Sequence, residues 1–197
     1  MDLNKYNLIE GKFIDLRVTN EDDAEDIYRW RTSDSGNFLN QPENYSIEFQ
    51  KAWMKSRSQK EINYIILSKG FLPEKVGMIA IVDIDQQNRK AEVGRLLLDA
   101  KYLNVSTPFG LEALKLTYNL VLNEWKFNKI YGSILAQHTK LIKLQMYLGM
   151  EEEGILHKHL FLHNQYLDLH LFAIFTDTLN SRYLPRINLL LRSFNFA

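Results

Sequence analysis

A change in hydrophobic period at Ile62 limits the folds open to this chain more than any other feature. From there, short apolar segments bounded by turn residues replace the helical spacing, which is typical of β-strands. The pattern predicts three consecutive strands over 63–67, 75–85 and 91–99, separated by short turns. We therefore expect an antiparallel meander at the centre of the fold.

After this meander the pattern alternates between helix and strand. Apolar residues at helical spacing predict helices over 108–125 and 139–148, with a strand over 129–136 between them. Pro108 suits a first helical turn, and Gly149 suits the residue that ends a helix. A meander followed by helix, strand and helix implies a mixed sheet with helices packed on it.

The segments on either side of this centre are shorter. Before it we predict a strand over 12–18, a helix that reaches Arg31, a polar loop, and a second helix that begins at Ser46. These elements extend the sheet and supply two helices ahead of the meander.

The last third contains two strands, 155–162 and 166–175, which we predict to form a hairpin. A two-residue turn that starts at Asn164 would place His159 opposite His170. Histidines on one strand face could line a pocket or hold a metal with Asp168. The hairpin is therefore a candidate wall of a functional site.

Length and composition exclude several classes of protein. With 197 residues and 46% hydrophobic residues, the chain suits one globular domain over 1–197, with a core over about 12–176 and an extension over 177–197. The extension fits either a terminal helix or an oligomer contact. The absence of cysteine excludes disulfides, thiolate metal sites and a cysteine nucleophile.

Charge and hydropathy restrict the partners. The 24 Lys and Arg residues balance the 24 Asp and Glu residues, which argues against broad binding to a nucleic-acid backbone. The N-terminal segment has no secretory pattern, and no stretch approaches the ~18 apolar residues of a membrane-spanning helix. We therefore expect a cytoplasmic protein that binds neither nucleic acid nor membrane.

Four segments resemble, in their order and spacing, the GNAT superfamily of acyl-CoA N-acyltransferases. The resemblance is greatest to the branch that contains ribosomal-protein N-terminal acetyltransferases and amino-sugar acetyltransferases. The segments are IDLRVTNEDDAEDIYRWR (14–31), VGMIAIVDIDQQNRKAEVGRLLLDAKY (76–102), TPFGLEALKLTYNLVLNEWKFNKIYGSIL (107–135) and AQHTKLIKLQMYLGMEEEGIL (136–156).

This resemblance implies a fold, a co-substrate and a reaction. The fold is a single GNAT-like α/β (α+β) domain whose mixed, mostly antiparallel sheet has about seven strands and helices on both faces. The co-substrate is acetyl-CoA, and the acetyl group passes directly to a primary amine in a ternary complex. A homodimer is also compatible with the family.

The resemblance also places the cofactor. The pyrophosphate would lie at the helix N-terminus that follows loop 103–110, where free backbone N–H groups and the helix dipole favour anions. Here that loop reads LNVSTPFG, with one glycine where relatives usually have several. Backbone near Leu97 and Leu98 would pair with pantetheine, beside a strand that splays from its neighbour. The remaining candidates for cofactor binding are Asn104, Ser106, Thr107, Phe109, Gly110, His138 and Lys143.

For the chemistry, the resemblance points to Glu92 as the general base, acting through a water molecule. An amine must lose its proton before its lone pair can attack. Asp83 and Asp85 are second choices, and a structural carboxylate is the competing interpretation of Glu92. Gln145 stands where relatives often have a tyrosine that protonates the leaving thiolate, and Tyr147 lies about 200° further round the helix. The general acid is thus left unassigned.

The acceptor would be held by the first helices and the last hairpin. Trp30 and Arg31 resemble Trp-Arg pairs of amino-sugar acetyltransferases, which implies stacking and contacts with phosphate or carboxylate. Core packing is the alternative for Trp30. Asp83, His157 and His159 complete the predicted substrate-binding set, and we predict no metal.

Three functions remain compatible with the sequence. The first is acetylation of the amino group of a nucleotide-linked amino sugar. The second is protein N-terminal acetylation of the ribosomal-protein type. The third is a degenerate module that binds CoA without catalysis, which the glycine-poor loop and Gln145 keep open.

Overall fold

A computed structural model describes residues 3–33, 36, 41–56, 58, 60–102 and 106–194. It contains a mixed sheet of 8 strands, hydrogen-bonded in the order β1-β2-β3-β4-β5-β6-β8-β7. The strands are β1 (Leu8–Glu10), β2 (Ile14–Val18), β3 (Ile62–Ser68), β4 (Lys75–Asp85), β5 (Lys90–Leu98), β6 (Lys129–Leu135), β7 (Glu151–Leu162) and β8 (Gln165–Phe175). The expected GNAT-like α/β fold with a mixed, mostly antiparallel sheet is confirmed, with the short β1 as an addition.

The helices follow the predicted order. They are α1 (Ala24–Thr32), α2 (Ile47–Lys55), α3 (Phe109–Asn119), α4 (Thr139–Leu148), α5 (Thr176–Thr178) and α6 (Leu184–Arg192). A π-helical turn over Leu120–Glu124 continues α3, and another over Leu179–Tyr183 joins α5 to α6. The predicted helix over 108–125 is therefore one continuous segment that changes its hydrogen bonding near the end. Residues 176–192 are helical, in agreement with one of the two interpretations of the extension.

The chain divides into two compact units. The first unit contains Met1–Val82 and Arg95–Leu116, and the second contains Asp83–Gly94 and Thr117–Ala197. β4, β5 and α3 each contribute residues to both units. The single domain over 1–197 stays a prediction, and so does the homodimer.

The first unit is built on antiparallel strands. β2 pairs with β1 and β3, and β3 pairs with β4. Asn20 and Asp23 form a capping box ahead of α1, and the Ser46 hydroxyl accepts from Phe49 N at the start of α2. One apolar cluster packs these helices on β3, β4 and β5, and its buried members are Ala24, Ile27, Trp30, Met54, Ile65, Met78 and Leu97.

A buried carboxylate fixes α3 in this unit. Glu112 is 2% exposed and accepts hydrogen bonds from the backbone N–H groups of Lys12 (2.9 Å), Phe13 (2.6 Å) and Ile14 (3.0 Å). A Cβ on Gly11 would lie 2.6 Å from Ile14 O and 3.0 Å from the Glu112 carboxyl carbon. Glycine is therefore required where the segment before β2 approaches α3.

In the second unit, β6 pairs in parallel with β5 and antiparallel with β8. The parallel ladder joins Lys90–Glu92 to Lys129–Tyr131. Gly149 ends α4 with a φ of 116°, in the left-handed region that favours glycine, as predicted. A Cβ there would also lie 2.7 Å from the Arg182 side chain.

The predicted register of the last hairpin is wrong. The turn residues are His163 and Asn164, with φ angles of 49° and 61°, so Leu162 faces Gln165. The register then shifts between Leu156 and Leu160, where Lys158 has a φ of 50°. At this bulge, residues 157–159 of β7 lie opposite Asp168 alone, so β7 contains two extra residues and its side chains leave the predicted alignment further.

As a consequence, His170 faces Ile155 and not His159. β7 also begins at Glu151, four residues before the predicted start at Ile155. Its first three residues are exposed glutamates, whose polarity concealed the strand in the sequence.

Over the part of the chain that the structure describes, no helix is both long enough and apolar enough to cross a membrane.

Candidate active site

A pocket of about 330 Å³ opens in the first unit. Its walls come from α1, α2, β3, β4 and β5, and from the segment before α2. Aromatic rings and two guanidinium groups dominate its lining, so we call it the arginine pocket. Its residues are Ile27, Arg31, Pro42, Tyr45, Phe49, Gln50, Trp53, Asn63, Met78 and Arg95.

Arg31 reaches this pocket from the last turn of α1. Its Nε donates to Gln41 Oε1 at 3.1 Å, and Gln41 Nε2 donates back to the Arg31 carbonyl at 2.9 Å. The guanidinium lies 5.4 Å from the centre of the Tyr45 ring. Burial, with a further contribution from the charge of Arg95, lowers the pKa of Arg31. The structure thus places this predicted substrate residue in a pocket wall.

Arg95 enters the same pocket from β5. Its Nη1 donates to Glu61 Oε2 at 3.1 Å and to Asn63 Oδ1 at 3.1 Å, and its guanidinium lies 5.4 Å from the Trp53 ring centre. Its φ is 53°, in the left-handed region that non-glycine residues avoid. Sequence reasoning missed Arg95, because a single arginine within a strand pattern is usually a solvated side chain.

Gln50 is the second site residue that the sequence did not reveal. It is 4% exposed and lies on α2, and its Oε1 accepts a 2.7 Å hydrogen bond from the Tyr45 hydroxyl. Within the described ranges, its Nε2 has no hydrogen-bond partner. Burial raises the pKa of Tyr45 to about 12, although Arg31 acts against this shift, so the phenol remains a donor at neutral pH.

Trp30 belongs to the core. It is 1% exposed and packs among the apolar residues of the first unit. Its Nε1 donates to Asp99 Oδ2 at 3.0 Å, and Arg29 forms an ion pair with the same oxygen at 3.1 Å. Core packing, the alternative interpretation of Trp30, describes its position, and its ring is not exposed for stacking on a substrate.

The acidic candidates lie in the second unit around Tyr131. Glu92 on β5 is directly opposite Tyr131 on β6 in the parallel ladder. The pKa of Tyr131 is raised, first by burial and then by the charges of Asp83, Glu92 and Asp85. The predicted base and both second choices therefore lie near one phenol.

The cofactor candidates on β5 differ in exposure. Leu97 is 2% exposed and Leu98 is partly buried. A Cβ on Gly77 would lie 2.1 Å from Leu97 O, so this glycine lets β4 approach β5 closely. A Cβ on Gly110 would make ordinary contacts, 3.6 Å from the Leu98 side chain, so no close approach requires that glycine.

The predicted phosphate loop precedes α3. Ser106 is exposed, Thr107 is partly buried, and Phe109 is buried as the first residue of the helix. Asn104 lies outside the described residues. Glu112, an acid in the first turn, would normally repel a phosphate, but its charge is satisfied by the N–H groups of residues 12–14. The two hydroxyls and the N-terminus of α3 stay a predicted phosphate site.

The comparison with known protein families decides the identity. The Acetyltransferase (GNAT) domain matches residues 14–151, which is most of the chain. The chain belongs to the GNAT acetyltransferase family. This GNAT protein is therefore an N-acetyltransferase that uses acetyl-CoA, as the sequence predicted. The narrower resemblance to ribosomal-protein and amino-sugar enzymes stays a prediction.

Solved structures share the GNAT fold at low sequence identity. The Vibrio cholerae spermidine N-acetyltransferase in complex with CoA and spermine has a TM-score of 0.75 at 16% identity, over 88% of this chain and 99% of that one. A chimera of that enzyme has a TM-score of 0.75 at 17% identity, over 87% and 100%. An inferred acetyltransferase from T. thermophilus has a TM-score of 0.76 at 16% identity, over 94% and 97%. No curated protein matches significantly.

Helix α4 shows how this GNAT chain departs from the expected pattern. Gln145 is 5% exposed, and its Oε1 has no hydrogen-bond partner among the described residues. Tyr147 is 46% exposed and stacks against Arg186 of α6, with 5.0 Å from guanidinium to ring centre. His138 precedes the helix as its N-cap residue, and Lys143 is exposed. An amide cannot act as a general acid, so the acid remains unassigned.

The histidines of the GNAT hairpin do not converge. His157 Nδ1 pairs with Asp168 Oδ2 at 3.0 Å, His170 pairs with Glu152, and His159 is exposed. Among the described residues, no group of three or more His, Asp or Glu side chains could hold a metal ion. His157 and His159 stay predicted substrate residues for which this geometry provides no shared pocket.

Proposed function

We propose that this enzyme transfers acetyl directly from acetyl-CoA to the primary amine of a small molecule, the amino group of a nucleotide-linked amino sugar. The observation that carries the proposal is the arginine pocket. Its volume of about 330 Å³ falls in the usual range of small-molecule sites, and its aromatic walls suit a sugar or base. A protein N-terminus would instead need a groove for an extended peptide.

The charge of the pocket bears on the choice of amine. Its lining contains Arg31 and Arg95, and no carboxylate is among its described lining residues. A polycation such as spermine, which the Vibrio cholerae enzyme binds, would meet like charge there. Phosphates of a nucleotide-linked sugar would meet opposite charge, which favours the amino-sugar acceptor over a polyamine.

Glu92 is the proposed base. The neutral amine attacks the thioester carbonyl, a C–N bond forms, the C–S bond breaks, and the electron pair leaves with the CoA sulfur. The proton lost from nitrogen passes to the Glu92 carboxylate through a water molecule. Asp83 and Asp85 lie near Tyr131, as Glu92 does, and are second choices for this role.

The remaining residues orient acetyl-CoA, which supplies the activated carbonyl when bound. Ser106, Thr107 and the first N–H groups of α3 hold its phosphates, and backbone at Leu97 and Leu98 pairs with the pantetheine. His138 and Lys143 are proposed as further contacts. The absence of cysteine leaves no thiol to carry the acetyl group, so direct transfer in a ternary complex is the simplest route.

The test is release of the CoA thiol with three classes of acceptor. A nucleotide-linked amino sugar, a peptide with a free N-terminus and spermidine are compared at equal concentrations by kcat/KM. We expect the amino sugar to be the best acceptor. Higher kcat/KM with the peptide would establish the N-terminal alternative, and higher kcat/KM with spermidine would overturn the assignment of the pocket.

A further inference from the structure

We infer that the arginine pocket is an anion-recognition site in which Arg95 and Gln50, together with Arg31, bind a carboxylate or phosphate of the acceptor. The inference rests on the proposed function, because it assumes that the acceptor amine belongs to the molecule held there. It adds a requirement: the amine must be attached to an anionic group. It also assigns specificity to Arg95 and Gln50, two residues without a role until now.

The first support is the set of hydrogen-bond donors. The recorded hydrogen bonds of Arg95 all use Nη1, so Nε and Nη2 have no partner within the described residues. The Nε2 of Gln50 also has none there, although the side chain is 4% exposed. Buried polar groups in native proteins are nearly always hydrogen-bonded, so this amide awaits an acceptor.

The second support is how these donors are oriented. The Tyr45 hydroxyl donates to Gln50 Oε1 at 2.7 Å, which occupies the carbonyl and leaves the amide nitrogen as a donor. The Arg95 guanidinium lies over the Trp53 ring, 5.4 Å from its centre. A guanidinium in contact with a ring still offers its planar fork of donors to carboxylate or phosphate oxygens.

The third support is the local charge. Arg31 and Arg95 are close enough for one to lower the pKa of the other. Glu61 forms an ion pair with Arg95 at 3.1 Å. The described lining of the pocket contains two guanidinium groups and no carboxylate, which favours an anionic ligand.

The fourth support is the backbone at Arg95. A φ of 53° at a residue with a large side chain is unfavourable, and such conformations are concentrated at functional sites. Here the unusual conformation accompanies an arginine that lines the pocket. Together these features point to a side chain positioned for recognition.

The test compares amines that differ by one anionic group. Glucosamine is paired with glucosamine 6-phosphate, and ethanolamine with β-alanine, so that the phosphate and carboxylate arms are read separately. For the wild type we expect kcat/KM to be at least about tenfold higher for the anionic member of one pair, since charge-assisted contacts of this kind contribute ten- to a hundredfold. Equal values in both pairs would overturn the inference.

The variants are Arg95→Gln, Arg95→Lys and Gln50→Leu. The control is Arg192→Gln, at an exposed position of α6. Arg95→Gln should lower kcat/KM for the preferred anionic amine about ten- to a hundredfold and lower it much less for the neutral partner. Arg95→Lys, which keeps the charge, should lose less. An equal loss with both amines would show a structural role and contradict the inference. Acetyl-CoA-induced thermal shifts of normal size confirm that each variant is folded.

A binding measurement separates this inference from the proposed function. Inorganic pyrophosphate is titrated in the presence of saturating CoA, which occupies the cofactor phosphate site, and the melting temperature is followed. We expect a shift in the wild type and in Arg192→Gln that Arg95→Gln abolishes. If no amine is acetylated but this pattern holds, the proposed function fails and the anion site stands. If the shift is absent or persists in Arg95→Gln, the anion site fails.

Discussion

The Tyr45 hydroxyl donates a 2.7 Å hydrogen bond to Gln50 Oε1, and this contact sets the orientation of the only amide side chain of α2. Because burial keeps the phenol protonated to about pH 12, the orientation is independent of pH in the neutral range. The proposed acceptor site therefore contains an amide donor, Gln50 Nε2, whose orientation is set by the Tyr45 hydroxyl.

Tyr45→Phe tests this relationship. Removing the hydroxyl frees the Gln50 amide to rotate, so we expect kcat/KM for an anionic amine to fall about five- to tenfold, while the free energy of unfolding decreases by about 1 kcal/mol. Steady-state kinetics and urea unfolding measure the two effects. Tyr166→Phe, at a residue that is 67% exposed, is the control. Unchanged kinetics would show that the contact serves packing alone.

Glu112→Gln tests the buried carboxylate. The substitution leaves one acceptor oxygen for three N–H groups and brings a buried NH₂ next to them, so we expect a loss of about 2–4 kcal/mol in the free energy of unfolding. Glu25→Gln, on the exposed side of α1, should change it by less than about 0.5 kcal/mol. Urea unfolding followed by circular dichroism gives both values. Similar small losses in the two variants would show that the hydrogen bonds to residues 12–14 contribute little.

Glu92→Gln tests the general base. Without a carboxylate to receive the proton, we expect kcat to fall by about 10² to 10⁴ and to recover partly as pH rises, because more of the amine is then neutral in solution. The pH dependence of thiol release measures this. A normal rate in Glu92→Gln with a large loss in Asp83→Asn would transfer the role to Asp83.

Buried tyrosines predict a loss of stability in alkali. Burial raises the pKa of Tyr45 to about 12 and also raises the pKa values of Tyr118 and Tyr183. Unfolded tyrosines titrate near pH 10, so above that pH the unfolded chain releases protons that the folded chain keeps. The free energy of unfolding must therefore fall as pH rises from about 10 to 12, by up to about 1.4 kcal/mol per pH unit for each tyrosine.

Lysine side chains also titrate between pH 10 and 12, so two variants are compared to isolate the effect of the buried tyrosines. Tyr183→Phe removes one buried phenol, so its unfolding free energy should decrease less steeply with pH than that of the wild type. Tyr166→Phe removes an exposed phenol and should keep the wild-type slope. Identical slopes in both variants would contradict a role for burial at Tyr183.

Local patterns predicted most of the fold. The bounds of β4 and α4, the N-cap at Ser46 and the left-handed Gly149 follow from periodicity and from residues with strong positional preferences. The hairpin register did not, because the turn lies at His163 and Asn164, one residue before the predicted turn, and a bulge at Lys158 adds a second shift. A register is set by pairing between strands, and one misplaced residue moves every later partner.

The site was harder to predict than the fold. Arg31 could be proposed because it follows a tryptophan in a familiar segment, whereas Gln50 and Arg95 are distant from it in sequence. Their shared pocket exists only after α1, α2 and β5 pack together. Trp30 shows the converse: an aromatic residue that looked suited to a ligand is a core residue with a hydrogen bond to Asp99.

The left-handed backbone conformation of Arg95 lowers the stability of the protein, but it belongs to the side chain that we propose for selectivity toward anionic amines. Glycine or asparagine would adopt that conformation at lower cost, provided that Glu61 is replaced as well so that no carboxylate is left without its partner. In a library that varies both positions, selection for thermal tolerance alone should enrich glycine or asparagine at position 95, whereas selection for acetylation of an anionic amine should retain arginine. Mutations that accumulate because they raise stability would then produce an enzyme that distinguishes less between anionic and neutral amines.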